Sequence, residues 1–333
     1  MPSAATRQCY DTSKACTGEL VRSLVDRKPL NVLAYMAENS EKRLASRKTR
    51  GAAETIIFDE MHASSGRMAK RQLLRAKETG TWLTTMPNRL NGTELSAEEF
   101  RDSLRLRYGL QPTSLPDKCD GCYQRFIVGH ALSCKSGGLV RARHEEVAQE
   151  WHHLCSQAFT ESAVSDEPLI PTSRDRMPVN AQGHREPVPE QRGDISCRGF
   201  WKRGTSAIFD VLITDTDQPS YLGTAPAKVL SNMEKEKKDK YLDACLSSRR
   251  QFTPLVFSVD VLAGAEAKAA MKRLASQLSP KWKRAYSAVC GFVRSRLAFA
   301  VVRGSNRCIR GDRDPTARSP NFTWDNGSGL SLY

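Results

Sequence analysis

A cluster of three cysteines and one histidine constrains this chain more than any other feature. Cys119 and Cys122 are separated by two residues, His130 follows after seven more, and Cys134 after a further three. Zinc prefers four tetrahedral sulfur or imidazole ligands, and a two-residue gap lets both thiolates of a Cys-x-x-Cys turn reach one ion. Because protein side chains fill all four positions, the spacing predicts a structural zinc site, a zinc knuckle, without an open position for a catalytic water.

The alternative is that the three cysteines are simply buried as small apolar residues and that His130 lies on the surface. The regular spacing favours zinc. The chain has ten cysteines in 333 residues, neither dense nor regularly paired, which indicates a reducing compartment. There is no secretory leader pattern, and no run approaches the roughly 20 apolar residues that a membrane span needs. We therefore expect a nuclear or cytoplasmic protein that is neither secreted nor inserted in a membrane.

The charge balance points to a polyanionic partner. Lys and Arg number 51 against 37 Asp and Glu, which gives a formal net charge of +14. A strongly basic surface favours binding to nucleic acid. Other basic proteins share this balance, so charge alone does not identify the partner.

Composition divides the chain into five predicted segments. Polar, anchor-poor ends predict disorder at 1–15 and 304–333. Amphipathic helical patterns fill 16–110, and the zinc knuckle occupies 111–138. From 139 to 303, helical and strand patterns alternate, which indicates an α/β domain.

Within these segments, periodicity and turn residues predict individual elements. Ser96 and Glu99 form a capping-box pattern that starts a helix before the knuckle. The elements predicted after the knuckle are a helix at 139–158, a polar loop at 172–191, strands at 194–196 and 206–214, a helix at 227–247, a strand at 253–260, and helices at 264–278 and 281–302.

Two aspartates on the predicted strands are candidates for chemistry. Asp210 interrupts a nearly continuous apolar run, where an unpaired buried carboxylate would cost several kcal/mol. Asp194 precedes it on the neighbouring strand candidate, and the intervening turn can set the two side by side. Two such carboxylates can hold Mg²⁺, which then activates water at a phosphate. The alternative is that Asp210 forms a structural ion pair and Asp194 caps a turn.

Such a site would also need a cation to orient water or stabilise phosphate charge. Lys237 and Lys240 are three residues apart on the next predicted helix and so share a face. The alternative for this charged stretch is an ordinary solvated helix surface. Glu146 or Glu150 on the 139–158 helix could add an acidic group, with Glu146 preferred.

Several motifs together resemble the C-terminal part of non-LTR retrotransposon reverse transcriptases. The similar region covers roughly residues 75–310, and the ordered combination of motifs is more specific than any one of them. The motifs are EFRDSLRLRYGL at 99–110, CDGC at 119–122, HALSC at 130–134, GGLVRARH at 137–144, RGD at 192–194, FWKRGTSAIFDVLITDTD at 200–217 and EKEKKDKY at 234–241.

This resemblance implies a zinc knuckle followed by a restriction-endonuclease-like domain of the PD-(D/E)XK class. The implied core runs helix, three-stranded meander, helix, strand (αβββαβ), and Mg²⁺-binding Asp194 and Asp210 match the two motif aspartates. Gly193 stands where the motif has proline, and Leu212 where it has lysine. In related endonucleases the lysine can move to the next helix, which makes Lys237 or Lys240 its expected replacement.

The implied function is nicking of DNA for target-primed reverse transcription, with DNA, and the RNA of the parent element, as expected partners. The chain has no Asp-Asp pair, so polymerase activity is not expected. Residues 18–90 resemble the tail that follows a polymerase region, so we expect a truncated product or a fragment of a longer protein. Two other functions stay open: a catalytically decayed zinc-containing nucleic-acid-binding protein, and a purely structural zinc protein with an acidic protein partner.

Overall fold

The structure, a computed structural model, describes residues 54–170 and 190–314. Two compact units are divided between Leu73 and Leu74, and the second contains both the cysteine cluster and the sheet. The predicted disorder at 1–15, the helical patterns before residue 54, most of the 172–191 loop and the end of the 304–333 segment lie outside the described residues.

Helices dominate the described chain. Residues 54–64 are helical. The labelled helices are α1 (Arg67–Ala76), α2 (Thr81–Thr84), α3 (Ala97–Arg107), α4 (Val128–Ser133), α5 (Leu139–Ala158), α6 (Pro226–Ser247), α7 (Ala265–Trp282) and α8 (Tyr286–Arg310), with short 3₁₀ turns at Ser136–Gly138, Glu161–Ala163 and Pro219–Tyr221. None of the described helices combines the length and apolarity needed to cross a lipid bilayer.

In the part of the chain that the structure describes, six strands form two sheets, so the fold is mixed α/β as expected. The strands are β1 (Val164–Asp166), β2 (Leu169–Ile170), β3 (Gln191–Arg192), β4 (Ile195–Arg198), β5 (Ser206–Thr214) and β6 (Gln251–Ser258). The main sheet has the order β1-β4-β5-β6, and β2 pairs with β3 in a separate two-stranded sheet. Strands β1, β4 and β5 are antiparallel neighbours, whereas β6 lies parallel to β5. Helix α6 supplies the crossover that a parallel pair requires.

Strand β5 is covered on both faces, which explains its nearly continuous apolar sequence. On one face, Phe209 packs against Trp151 of α5, with ring centroids 5.3 Å apart. On the other face, Ile208 packs against Tyr241 of α6. Because side chains alternate along a strand, Asp210 lies on the same face as Ile208 and is directed towards α6.

The element predictions before the tail agree well with the structure. Ser96 and Glu99 form the predicted capping box at the start of α3, with both reciprocal hydrogen bonds present. Helix α5 and strand β5 occupy the predicted ranges 139–158 and 206–214.

The prediction that disorder begins at residue 304 is wrong for the first part of that segment. Helix α8 continues to Arg310. Several polar residues of this stretch are buried: the Asn306 side-chain amide donates a 2.7 Å hydrogen bond to the Ser103 hydroxyl, and Arg313 beyond the helix is 1% exposed. Polar composition was misleading here because these polar groups find partners inside the protein.

A pair of glycines in α8 tests how tightly this helix packs on α5. A Cβ atom added at Gly304 would lie 2.6 Å from Cγ and 3.1 Å from Cα of the buried Arg143, whereas one added at Gly291 would meet nothing within 4 Å. We expect Gly304→Ala to lower the free energy of unfolding by about 1–3 kcal/mol through overpacking. Gly291→Ala should raise it by up to about 1 kcal/mol, because alanine is the better helix former.

Urea denaturation midpoints of the two variants and the wild type provide the measurement. Equal shifts for both alanine variants would contradict the close approach of α8 to α5 at Gly304.

Candidate functional site

The four predicted zinc ligands converge in the structure. Their ligand atoms all lie within 4.8 Å of one another. The Cys134 sulfur is 3.9 Å from that of Cys119 and 3.8 Å from that of Cys122, and Cys122 Sγ is 3.3 Å from His130 Nε2. A tetrahedron with zinc–sulfur bonds of about 2.3 Å has sulfur–sulfur edges of about 3.8 Å. The cluster could therefore hold a zinc ion.

Local backbone structure brings these ligands together. Cys119 and Cys122 lie in a tight hairpin, in which the Cys119 amide donates to the Gln124 carbonyl at 2.8 Å. His130 and Cys134 are four residues apart, and the Cys134 amide closes the last turn of α4 by donating to the His130 carbonyl. Residues with this spacing project from the same side of a helix. The hairpin and α4 thus each contribute two ligands.

The chemistry of Cys119 suits a metal ligand. Burial opposes its ionisation, but hydrogen bonding from His130 and from the backbone amides of Gly121 and Cys122 lowers the pKa of the thiol below its ordinary value. The thiolate is the form that binds metal.

The cysteine cluster is packed into the second unit rather than attached to it by a linker. Phe126 and Leu132, which lie in the chain between the ligand residues, pack with Leu139 of α5 and Ile309 of α8 in one apolar core. Asp120 accepts a hydrogen bond from the backbone amide of Arg313. The knuckle is therefore held against the start of α5 and the end of α8.

The second candidate site contains Asp194, directly before β4, and Asp210, within the neighbouring strand β5. The first residue of β4, Ile195, pairs with Phe209 of β5. The Asp194 amide also donates to the Phe209 carbonyl, at 2.9 Å, so two residues lie opposite Phe209 and the chain bulges beside Asp210. Asp210 is 5% exposed. The charge of Asp194 acts to raise the pKa of Asp210, so the two predicted carboxylates belong to one cluster.

Lys237 is the lysine that reaches these aspartates. Its ammonium lies 2.6 Å from Asp210 Oδ2 and projects from the crossover helix α6. Burial lowers the pKa of Lys237, but the charge and contact of Asp210 outweigh it and raise that pKa above its ordinary value. Leu212, two residues along β5, packs instead with apolar residues such as Leu230 of the same helix. A lysine from α6 thus occupies the neighbourhood of Asp210 that a lysine at position 212 could have filled.

His144 on α5 completes the cluster and was not identified as a site residue from the sequence. Its Nε2 lies 3.0 Å from Asp194 Oδ2, the oxygen that also accepts a 2.5 Å hydrogen bond from the Val211 amide. Burial lowers the His144 pKa, but hydrogen bonding to Asp194 and its charge raise it above the ordinary value overall. Helical spacing could have identified His144, because it lies three residues before the buried Val147 and seven before the buried Trp151. Residues at these intervals share one side of a helix.

The electrostatics of Asp210 reflect its burial. Burial raises the pKa of this carboxyl group, the Lys237 ammonium opposes the rise, and the charge of Asp194 adds to it. Two carboxylates that repel each other in a partly buried position favour binding of a cation. Lys237 supplies positive charge to Asp210, and His144 contacts Asp194.

The other predicted candidates lie elsewhere. The Glu146 carboxylate pairs with Arg303 at 3.4 Å and Arg307 at 3.3 Å on α8, away from the aspartates. Glu150 likewise pairs with Arg296 at 2.7 Å. Lys240 is exposed, with its ammonium 4.7 Å from the ring centroid of Tyr241, and no ion pair joins it to either aspartate within the described residues. Of the catalytic candidates, the structure brings together Asp194, Asp210 and Lys237, and not Glu146 or Lys240.

The glycine at position 193 has a structural explanation. A Cβ atom there would lie 2.4 Å from Cγ2 of Ile208, and the Gly193 amide donates a 3.0 Å hydrogen bond to the Pro168 carbonyl. Proline would lose that donor and introduce the clash. The departure from the motif therefore follows from the close approach of β5.

Comparison with known proteins gives no further identification. No protein-family model matches the chain, and no curated protein matches its sequence.

The cysteine cluster predicts one bound zinc ion per chain. Cys122→Ser should reduce zinc content to near zero, because it removes one of four converging ligands. Chelation of the wild type should lower the Tm by about 5 °C or more, since metal binding contributes to folding. Elemental analysis and thermal melts measure these effects.

Cys290→Ser is the matched control, because Cys290 is buried in α8 and is not part of the cluster. That variant should keep its zinc. Full zinc occupancy in Cys122→Ser would contradict the assignment of the ligand.

Proposed function

We propose that the second unit is a metal-dependent DNA endonuclease that nicks DNA, as the retrotransposon resemblance implies. The observation that carries this proposal is the cluster of Asp194, directly before β4, Asp210 of β5 and Lys237 of the crossover helix. A carboxylate buried as deeply as Asp210 is costly, and such groups concentrate at functional sites.

The order of elements supports a restriction-endonuclease-like core. Helix α5 is followed by antiparallel strands β1, β4 and β5, then by α6 and the parallel strand β6. This order supports the helix, three-stranded meander, helix, strand core that the resemblance implies. The small sheet β2–β3 is an addition inside the meander.

Asp194 and Asp210 are the residues that would hold Mg²⁺. Their oxygens are the hard ligands that this ion prefers, and the mutual repulsion of the carboxylates would be relieved by binding. When bound, the ion would supply an activated water and charge neutralisation at the scissile phosphate.

Lys237 and His144 would act beside the aspartates. The Lys237 ammonium already lies within this cluster, where it could stabilise negative charge that develops on a phosphate. His144 holds Asp194 by a 3.0 Å contact and so fixes the orientation of that carboxylate. We assign Lys237 the electrostatic role and His144 the role of positioning Asp194.

The second candidate function is a catalytically decayed, zinc-containing nucleic-acid-binding protein. A specific observation favours it: Lys237 forms a 2.6 Å ion pair with the same Asp210 carboxylate that a metal ion would need. A net charge of +14 would still support binding to DNA, or to RNA, without turnover. Both candidates predict nucleic-acid binding, and only the first predicts cleavage.

Replacement of Asp210 tests the nuclease directly. Asp210→Asn should reduce Mg²⁺-dependent nicking of supercoiled plasmid by at least about 100-fold, because it removes a charge that acts on the reaction itself. Affinity for DNA should change little, since phosphate contacts dominate binding. The measurements are plasmid conversion on gels and fluorescence anisotropy without Mg²⁺.

The control for this experiment is Asp239→Asn on the exposed surface of α6. It should nick at the wild-type rate. Absence of nicking by the wild-type protein, with DNA binding retained, would support the decayed protein instead.

Replacement of the two lysines separates their roles. Lys237→Ala should lower the nicking rate by about 10²–10³, the typical cost of removing one charge-stabilising group. Lys240→Ala, three residues away on the same helix, should have little effect because the Lys240 ammonium lies over the Tyr241 ring and, among the described residues, pairs with neither aspartate. Single-turnover nicking rates at saturating protein provide the comparison, and equal losses in the two variants would contradict the assignment to Lys237.

A further inference from the structure

The tip of the cysteine hairpin exposes a tyrosine that makes no contribution to zinc ligation. Tyr123 follows Cys122 directly, and its amide donates to the Cys119 carbonyl at 2.8 Å. The side chain is 77% exposed, although tyrosine carries a large apolar ring. Its backbone has a φ of 60°, in the left-handed region that non-glycine residues seldom adopt.

Two cations flank this tyrosine in a costly arrangement. Lys118 and Arg125 face each other directly as an antiparallel bridge across the hairpin. Like charges opposite each other in such a pair destabilise it. Both residues are exposed, and within the described ranges neither forms an ion pair with a carboxylate. The nearby Asp120 is instead engaged by Arg313.

The exposed tip thus combines an aromatic ring, a rare backbone conformation and two like charges that face each other. A backbone held in a rare conformation often marks a functional site. An exposed aromatic ring offers a platform on which a base can stack, and adjacent cations can contact the phosphates on either side. Both features therefore indicate the same ligand.

We propose that Tyr123, Lys118 and Arg125 form a binding surface for unpaired nucleobases in single-stranded nucleic acid. The ring would stack on one base, and the two cations would contact the neighbouring phosphates. A duplex hides the faces of its internal bases, so the surface would favour single strands or melted segments over paired DNA. Single-stranded DNA and single-stranded RNA offer the same chemistry.

This inference rests on the proposed function in one respect, which is that the ligand is nucleic acid. It does not require that the protein cleave that ligand. The binding surface lies on the knuckle, whereas the proposed nuclease depends on the aspartates of the sheet. A binding experiment without Mg²⁺ therefore tests the surface separately from the nuclease.

The experiment uses the full zinc-loaded chain and fluorescence anisotropy with labelled oligonucleotides of one sequence: single-stranded DNA, single-stranded RNA and duplex DNA. Tyr123→Asn removes the ring, and asparagine tolerates the left-handed backbone conformation better than most residues. We expect it to weaken single-strand binding by about fivefold to a hundredfold, the range for loss of one base stack. Duplex binding should change less than twofold, and Tyr123→Phe should restore single-strand binding.

The control is Tyr286→Asn. Tyr286 is also partly exposed, at 46%, but it begins α8 while the knuckle packs near the other end of that 25-residue helix. It should leave single-strand affinity unchanged. Zinc content and Tm of each variant establish that the knuckle remains folded.

Salt dependence tests the two cations. Lys118→Gln and Arg125→Gln should each reduce the slope of log affinity against log salt for a single strand by about 0.7, the value for one lost phosphate contact. Tyr123→Asn should leave that slope unchanged. A preference of the DNA or the RNA strand in these titrations identifies which source of unpaired bases the surface favours.

The proposal is overturned if zinc-loaded Tyr123→Asn binds single strands as tightly as the wild type. It is also overturned if single-strand and duplex affinities fall equally, or if Tyr123→Phe is as weak as Tyr123→Asn. Wild-type protein that binds single strands through Tyr123 but does not nick plasmid would support this surface and contradict the nuclease.

Discussion

The burial of Asp210 in a strand covered on both faces is the constraint on which the rest of this unit depends. A carboxylate at 5% exposure has lost most of its hydration and needs a cation nearby. Lys237 of α6 supplies that cation. The turn of the crossover helix that carries Lys237 must therefore lie against β5. Apolar contacts one turn further on, between Tyr241 of α6 and Ile208 of β5, hold the helix in the same place. Charge pairing and packing therefore specify one position for α6.

Much of the architecture followed from local patterns in the sequence. The apolar run of β5, the capping box of α3 and the spacing of the cysteine cluster each depend on residues close together in the chain. Asp210 also stood out locally, because a charged residue within an apolar strand is conspicuous without knowledge of the fold.

The remaining site features depend on tertiary contacts that local patterns do not carry. Glu146 and His144 lie two residues apart on α5, yet Glu146 faces the arginines of α8 whereas His144 contacts Asp194. Lys237 and Lys240 were equivalent by helical spacing, and only the position of α6 against β5 separated them. The extension of α8 to Arg310 was missed for the same reason, since its polar residues have partners contributed by distant segments.

The aspartate cluster and the cysteine cluster of this unit differ in the partners that their ligand atoms have within the protein. In the sheet, each aspartate has a partner from a helix: Lys237 for Asp210 and His144 for Asp194. This arrangement gives both aspartates partners within the fold, with which a metal ion would have to compete. In the knuckle, the four ligand atoms contact mainly one another. A zinc ion bound there would couple metal binding to folding, whereas in the sheet a metal would be an addition to an already folded site.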